Sequence, residues 1–178
     1  TCALPIFESI FSATSFNECY KSVVVWLYFG GKNVFIQDAN SLTMKPGDFI
    51  SALTYLKEAF PTIERVTSYA RSRTIAKRLS VEDLKAMKEA GLTRLHIGLE
   101  SGNDFLLTYM NKGVTKDGHI ESGRKVKKSG IELSEYIVLG MGGRKWWKEH
   151  VDDTSDVLNA INPDFIRFRT LKVTKDMP

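Results

Sequence analysis

The amino-acid sequence predicts an α/β fold, a partial (β/α)6 TIM-like barrel built on parallel strands, and three observations carry that expectation. From about residue 33 onward, short apolar stretches alternate with amphipathic helical stretches at a spacing of roughly 30 residues, the rhythm of repeated βα units. Several strands put polar residues on one face, which suits a wide or open barrel with a solvated interior better than one filled by aliphatic side chains. The 178 residues are 43% hydrophobic and 26% charged, a composition that supports one globular domain with a real core.

Five strands are expected, over 33–37, 65–69, 94–99, 131–139 and 164–170. Between the first two, Phe49, Leu53, Leu56 and Phe60 recur at helical spacing, and Pro61 stops the run. The next helix opens on Ser80 as N-cap with Asp83 three residues on, continues through Leu84, Met87 and Ala90, and stops at Gly91. Gly113 and Gly130 are expected to end the two helices that follow. The last helix covers 149–161, and Pro163 separates it from the final strand.

Residues 1–32 stand outside this rhythm and are set apart as an irregular N-terminal segment, with the barrel over 33–178. The barrel is expected to be incomplete at its N-terminus, and the chain, which starts at Thr1, is read as a piece of a longer protein. An open edge at 33–37 invites pairing, and the apolar, β-prone stretch 23–29 is expected to serve as a replacement strand there.

Strand parity places Arg94, His96, Gly98 and Glu100 on one face, opposite Leu95, Ile97 and Leu99. Glu132, Ser134 and Tyr136 share a face in the same way, as do Arg167 and Arg169 opposite Ile166 and Phe168. Ligands of such sheets gather at the C-terminal strand ends. Those tips are Asp38-Ala39-Asn40-Ser41, Tyr69-Ala70-Arg71, Glu100-Ser101-Gly102, Gly140-Met141-Gly142-Gly143 and Arg169-Thr170.

Glu100 accepts hydrogen bonds from an amine or a ribose hydroxyl, or caps its own helix; Ser101 donates or accepts; Gly102 permits close backbone approach. The glycines at 140, 142 and 143 expose amides to an adenine edge, or make a plain tight turn. His96 is expected as a hydrogen-bonded residue inside the barrel, and His119 and His150 as surface groups on helices. Trp146-Trp147 reads either as a base-stacking platform or as hydrophobic contact beside a loop.

The longest early apolar run, 23–29, is far shorter than the roughly 20 residues of a membrane helix, and no signal-like segment is seen, so a cytoplasmic protein is expected. Cys2 and Cys19 are too few and too far apart to suggest a metal site, and read as ordinary thiols. The net charge of +4 rests partly on Arg124-Lys125-Val126-Lys127-Lys128 and Arg144-Lys145-Trp146-Trp147-Lys148. Both read first as solvated helix faces, with nucleic acid a conceivable but unsupported partner.

The stretch His96-Ile97-Gly98-Leu99-Glu100-Ser101-Gly102, followed by Leu106-Leu107 and Met110-Asn111-Lys112-Gly113, resembles the fourth strand and following helix of radical S-adenosylmethionine (SAM) enzymes. The resemblance runs from about Val34 to Thr170. It is strongest to the subgroup of oxygen-independent coproporphyrinogen oxidase and the tRNA-modifying methylthiotransferases. It implies SAM and a [4Fe-4S] cluster as cofactors, and reductive cleavage of SAM to a 5′-deoxyadenosyl radical that abstracts hydrogen from a substrate it does not name.

By motif position, Asp38, Ala39 and Asn40 stand where the family has a Gly-Gly-Glu segment at the SAM amino group, with Asn40 in the glutamate's place. The resemblance likewise implies Tyr69 as a cofactor residue at the next tip, and Glu100 and Ser101 for the SAM ribose and carboxylate. Gly140, Gly142 and Gly143 fall beside adenine, and Arg169 at the last tip. No residue takes a catalytic assignment. The family's CxxxCxxC cluster motif does not occur: with Cys19 as its last member, the other positions hold Phe16 and Ser12. The isolated chain is therefore expected to be inactive. Two other readings stand beside this one. The chain is a non-catalytic remnant or RNA-binding module of the same fold, using Arg144 to Lys148, or another α/β-barrel enzyme taking a phosphorylated ligand at its glycine tips.

Overall fold

The computed structural model describes residues 18–172. In chain order the elements are α1 (Glu18–Tyr28), β1 (Asn33–Ile36), a 3-10 turn (Ser41–Thr43), α2 (Pro46–Ala59), β2 (Arg65–Ala70), α3 (Ser72–Arg78), α4 (Val81–Glu89), β3 (Leu92–Glu100), α5 (Asp104–Tyr109), α6 (Lys116–Ser129), β4 (Glu132–Leu139), α7 (Trp147–Ile161) and β5 (Phe165–Thr170).

The five strands form one parallel sheet in the order β1-β2-β3-β4-β5, and each begins and ends within two residues of its expected place. The sheet is not closed. Its helix-bearing face carries the core: Val66, Leu95, Ile97, Leu99, Leu133 and Ile137 pack with Leu53, Ile75, Leu84, Met87, Val126 and Val157 from the helices. The other face is polar and aromatic, as strand parity requires. There Arg94 pairs with Glu132 at 2.7 Å and lies 4.1 Å over the Phe165 ring. Phe35, Tyr69, His96 and Tyr136 form a ring cluster beside them.

Local chemistry sets the helix ends. Asp83 N donates to Ser80 Oγ at 3.0 Å and Ser80 N to Asp83 Oδ2 at 2.9 Å, closing the expected capping box. Gly130 caps α6 in the left-handed region, φ 77°. Gly113 does not end α5, which stops at Tyr109; Asn111 supplies the left-handed residue there.

Three further expectations are corrected. The stretch 23–28 belongs to α1, a helix, instead of a replacement strand. Trp26 sets its edge against Phe60 at 5.2 Å, and its Nε1 donates to Asn33 O at 2.8 Å. Valine costs only roughly 0.5 kcal/mol in a helix, and such packing overrides it.

The basic run of α6 is no free solvated face. Arg124 donates to Ala160 O, Lys125 to Ala76 O, and Lys127 pairs with Asp164 at 2.5 Å, so these cations join α6 to α3, α7 and the start of β5. His119 and His150 are buried, 1% and 5% exposed, because both lie on the inward stripes of their helices. No helix among the described residues is long and apolar enough to cross a membrane.

Candidate functional site

β2 and β3 end side by side, Tyr69 opposite His96 and Ala70 opposite Ile97. Their tips, the loop after α5 and the first turn of α6 enclose a cleft of about 390 Å³. Ala39, Tyr69, Arg71, Gly98, Glu100 and Lys112 border it, with His96 and His119 in its wall.

Glu100 reaches this cleft through a distortion. Gly98 pairs with Tyr136 but Glu100 pairs with Ile137, so the strand bulges at Leu99, and Glu100 then takes a left-handed φ of 61°. The carboxylate folds back over Gly98: a Cβ there would sit 3.1 Å from Glu100 Oε1. It also pairs with Lys112 from the α5–α6 loop. A non-glycine residue held so costs on the order of 1–3 kcal/mol and persists where its surroundings dictate it. Asp38 is the second strained tip, φ 123°, with its Oδ1 accepting from Ala39 N at 2.7 Å.

What dictates Glu100 is the turn that follows it. Ser101 is fully buried; its Oγ meets His150 Nδ1 at 2.9 Å and accepts from Asn103 N at 3.1 Å. Gly102 N donates to Thr154 Oγ1 at 2.9 Å, and Asn103 Nδ2 to Asp153 Oδ2 at 2.7 Å. Lys116 joins from α6, pairing with Asp153 at 2.7 Å and Asp156 at 2.9 Å. Those bonds hold the Asp153 carboxyl below its usual range, the Lys116 bond first and the Asn103 bond second. Gly102 is pressed so near α7 that an added Cβ would lie 2.3 Å from Asp153 O. The close approach expected of Gly102 is thus made to a helix of the same chain.

Two histidines give the cleft wall its polar demand. His119 Nδ1 lies 2.8 Å from Ser72 Oγ, while its buried Nε2 has no protein partner. His96 lies parallel to Phe35, ring centroids 5.8 Å apart, and its buried Nδ1 is likewise unpartnered. Burial lowers the His119 pKa to about 4. Burial, then the charges of Arg167 and Arg94, lower that of His96 to about 4 as well. Both rings are neutral near pH 7 and offer hydrogen-bonding nitrogens without charge.

Of the residues expected at a cofactor, Tyr69 and Glu100 border the cleft, and Asp38, Asn40, Ser101, Gly140, Gly142, Gly143 and Arg169 do not. Asn40 ties the β1 tip to its neighbours: its Oδ1 accepts from Arg71 N at 3.0 Å and its Nδ2 donates to Thr74 Oγ1 at 2.8 Å. Gly140, Gly142 and Gly143 turn the chain after β4 at φ 88°, 101° and 53°. Arg169 lies 5.5 Å over the Tyr136 ring. His119 and His150 were legible as more than surface groups. His119 shares helical spacing with Ser122 and Val126, and His150 with Thr154, Val157 and Ile161, all buried.

Comparison with known proteins agrees with this fold. Residues 16–156, well over half the chain, match the Radical SAM superfamily model. The tRNA-2-methylthio-N(6)-dimethylallyladenosine synthase of Acetivibrio thermocellus is 26% identical over 171 residues, covering 92% of this chain and 35% of that protein. A biotin synthase of Clostridium botulinum is 38% identical over 64 residues, 36% of this chain and 20% of that protein. The chain spans from 18% to 35% of the length of the curated relatives it matches. Among solved structures, the coproporphyrinogen III oxidase of Escherichia coli superimposes with a TM-score of 0.64 at 12% identity, over 79% of this chain and 32% of that one. The open parallel sheet, the strand order and the family match lead to one conclusion: the chain belongs to the radical SAM superfamily.

Proposed function

We propose that this chain is the SAM-facing part of a radical SAM enzyme, with SAM held across the C-terminal ends of its strands. The observation that supports this reading most is Glu100, a carboxylate bulged and twisted into a cleft that Tyr69, Arg71 and Lys112 also border. In this reading Glu100 accepts from the ribose hydroxyls or the amino group, and the neutral His96 and His119 rings form part of the wall behind it. Arg71 and Lys112 offset the SAM carboxylate, and Tyr69 walls one side. Asp38 and Asn40 shape the neighbouring tip, the Gly140 to Gly143 turn gives amides beside adenine, and Arg169 closes the far side. Ser101 acts as a positioning residue through its bond to His150.

The residues present do not fit the cluster. A [4Fe-4S] centre needs a set of cysteine thiolates, and the chain has Cys2 and Cys19 alone. Among the described residues no group of three His, Cys, Asp or Glu side chains is placed to hold a metal. We therefore propose that this chain by itself holds no cluster and generates no radical. Anaerobic reconstitution should leave it without stoichiometric iron and sulfide; a loaded cluster lost on Cys19→Ser would overturn this.

SAM binding is tested by isothermal titration of the 178-residue chain. Glu100→Ala should weaken binding by roughly 1–3 kcal/mol, the loss of hydrogen bonds to a charged group. Unchanged affinity would leave Glu100 as the ion-pair partner of Lys112 and no more.

A further inference from the structure

Beside the cleft, three aromatic rings form a ledge that the cofactor reading does not use. Phe105 and Tyr109 of α5 are stacked with centroids 6.3 Å apart, and Phe105 meets Trp146, in the loop before α7, at 4.8 Å. Phe105 is 51% exposed and Tyr109 74%, and Trp147, the first residue of α7, is 60% exposed. So much ring surface in one place marks an interaction site more often than chance exposure. α5 ends directly in Met110 to Lys112, which border the cleft, so the ledge and the cleft adjoin.

The charges around these rings select the partner. Lys145 Nζ lies 4.4 Å over the Trp146 ring. Arg144, Lys145 and Lys148 are exposed, and among the described residues none of them has a carboxylate partner, whereas Lys116, Lys125 and Lys127 all do. Glu149 is the exposed acid next to them in sequence, and Asp104 on α5 is engaged by Lys116 N. Protein interfaces favour aromatic residues and arginine but are depleted in lysine. Rings interleaved with unpaired cations suit a ligand with π faces and repeating anionic charge.

We propose that this ledge binds single-stranded nucleic acid, with bases stacking on the exposed Phe105 and Tyr109 rings and phosphates meeting Arg144, Lys145 and Lys148. A duplex hides its base faces and leaves the rings nothing to stack on. The proposal is independent of the cofactor reading, and its test uses no SAM.

The test is fluorescence anisotropy of the 178-residue chain with labelled oligonucleotides of about 12 nucleotides, the span of one such site. The probes are single-stranded RNA, single-stranded DNA of the same sequence, and the duplex. Single strands should bind with a log–log salt slope of about −2, three phosphate contacts' worth. Tyr109→Ala, an exposed position whose folding is checked by circular dichroism, should weaken binding about tenfold and leave the slope unchanged. Lys145→Glu should make the slope shallower. A preference for either sugar then identifies the source of the strand.

The proposal is overturned by any of three results. One is no anisotropy change at low salt, and another is duplex binding as tight as single-strand binding with Tyr109→Ala silent, a merely electrostatic surface. The third is sedimentation showing self-association that Tyr109→Ala abolishes, which would make the ledge a protein interface.

Discussion

Glu100 combines two opposing effects whose sizes decide a prediction. Its left-handed backbone costs on the order of 1–3 kcal/mol, while its ion pair with Lys112, still reached by solvent at both side chains, contributes about 1 kcal/mol. The strain outweighs the pair, so Glu100→Gly should stabilise the fold by roughly 1 kcal/mol, since glycine takes that conformation freely. Urea midpoints of the two proteins check this. A destabilised glycine variant would mean that the ion pair, not the backbone, dominates at this tip. The parity of Arg94, His96 and Gly98 was plain in the sequence; that Glu100 reaches the cleft through a bulge was not, because a bulge depends on what the next turn packs against.

That turn belongs to the scale of elements. Ser101, Gly102 and Asn103 are bonded to His150, Thr154 and Asp153, so α7 fixes where β3 ends. Gly102→Ala would drive a Cβ into the Asp153 carbonyl, a backbone atom with no freedom to swing aside. The variant should lose about 1–3 kcal/mol, as overpacked sites do, read as a lower urea midpoint. Full stability would show that β3 and α7 separate easily.

The strands were legible because β-branched and aromatic runs bounded by turn residues leave little choice. α1 was not, since Val23, Val24 and Val25 read as a strand until Trp26 finds Phe60 and Asn33. His119 and His150 were misplaced for a different reason: each was read alone, although the stripes they share with Ser122 and Val126 and with Val157 and Ile161 mark both as inward-facing.

For the molecule as a whole, buried titratable groups set two limits on stability with pH. Glu135 lies 1% exposed on the aliphatic face of β4, its Oε2 unpartnered, and burial pushes its pKa up to about 8 from 4.5. The folded chain thus holds a proton there that the unfolded chain releases above pH 4.5, so stability falls as pH rises from 4.5 towards 8. His96 and His119 act in the other direction. Their pKa values fall from 6.5 to about 4, so the unfolded chain takes up protons first, and stability drops as pH falls from 6.5 towards 4. Glu135→Gln should therefore gain about 4 kcal/mol over the parent at pH 8 and under about 1 kcal/mol at pH 5, and it should leave the acid limb in place. Urea midpoints across that range decide it, and equal stability at pH 8 would count against a buried neutral Glu135.

A SAM site at the strand tips of β2 and β3 would report itself in the amide chemical shifts of those tips. On titrating SAM into the isotopically labelled chain, shifts should concentrate at Ala39, Tyr69, Gly98, Glu100 and Lys112, with the outer faces of α2 and α4 still. Shifts scattered over those outer helices, or none at millimolar SAM, would contradict it.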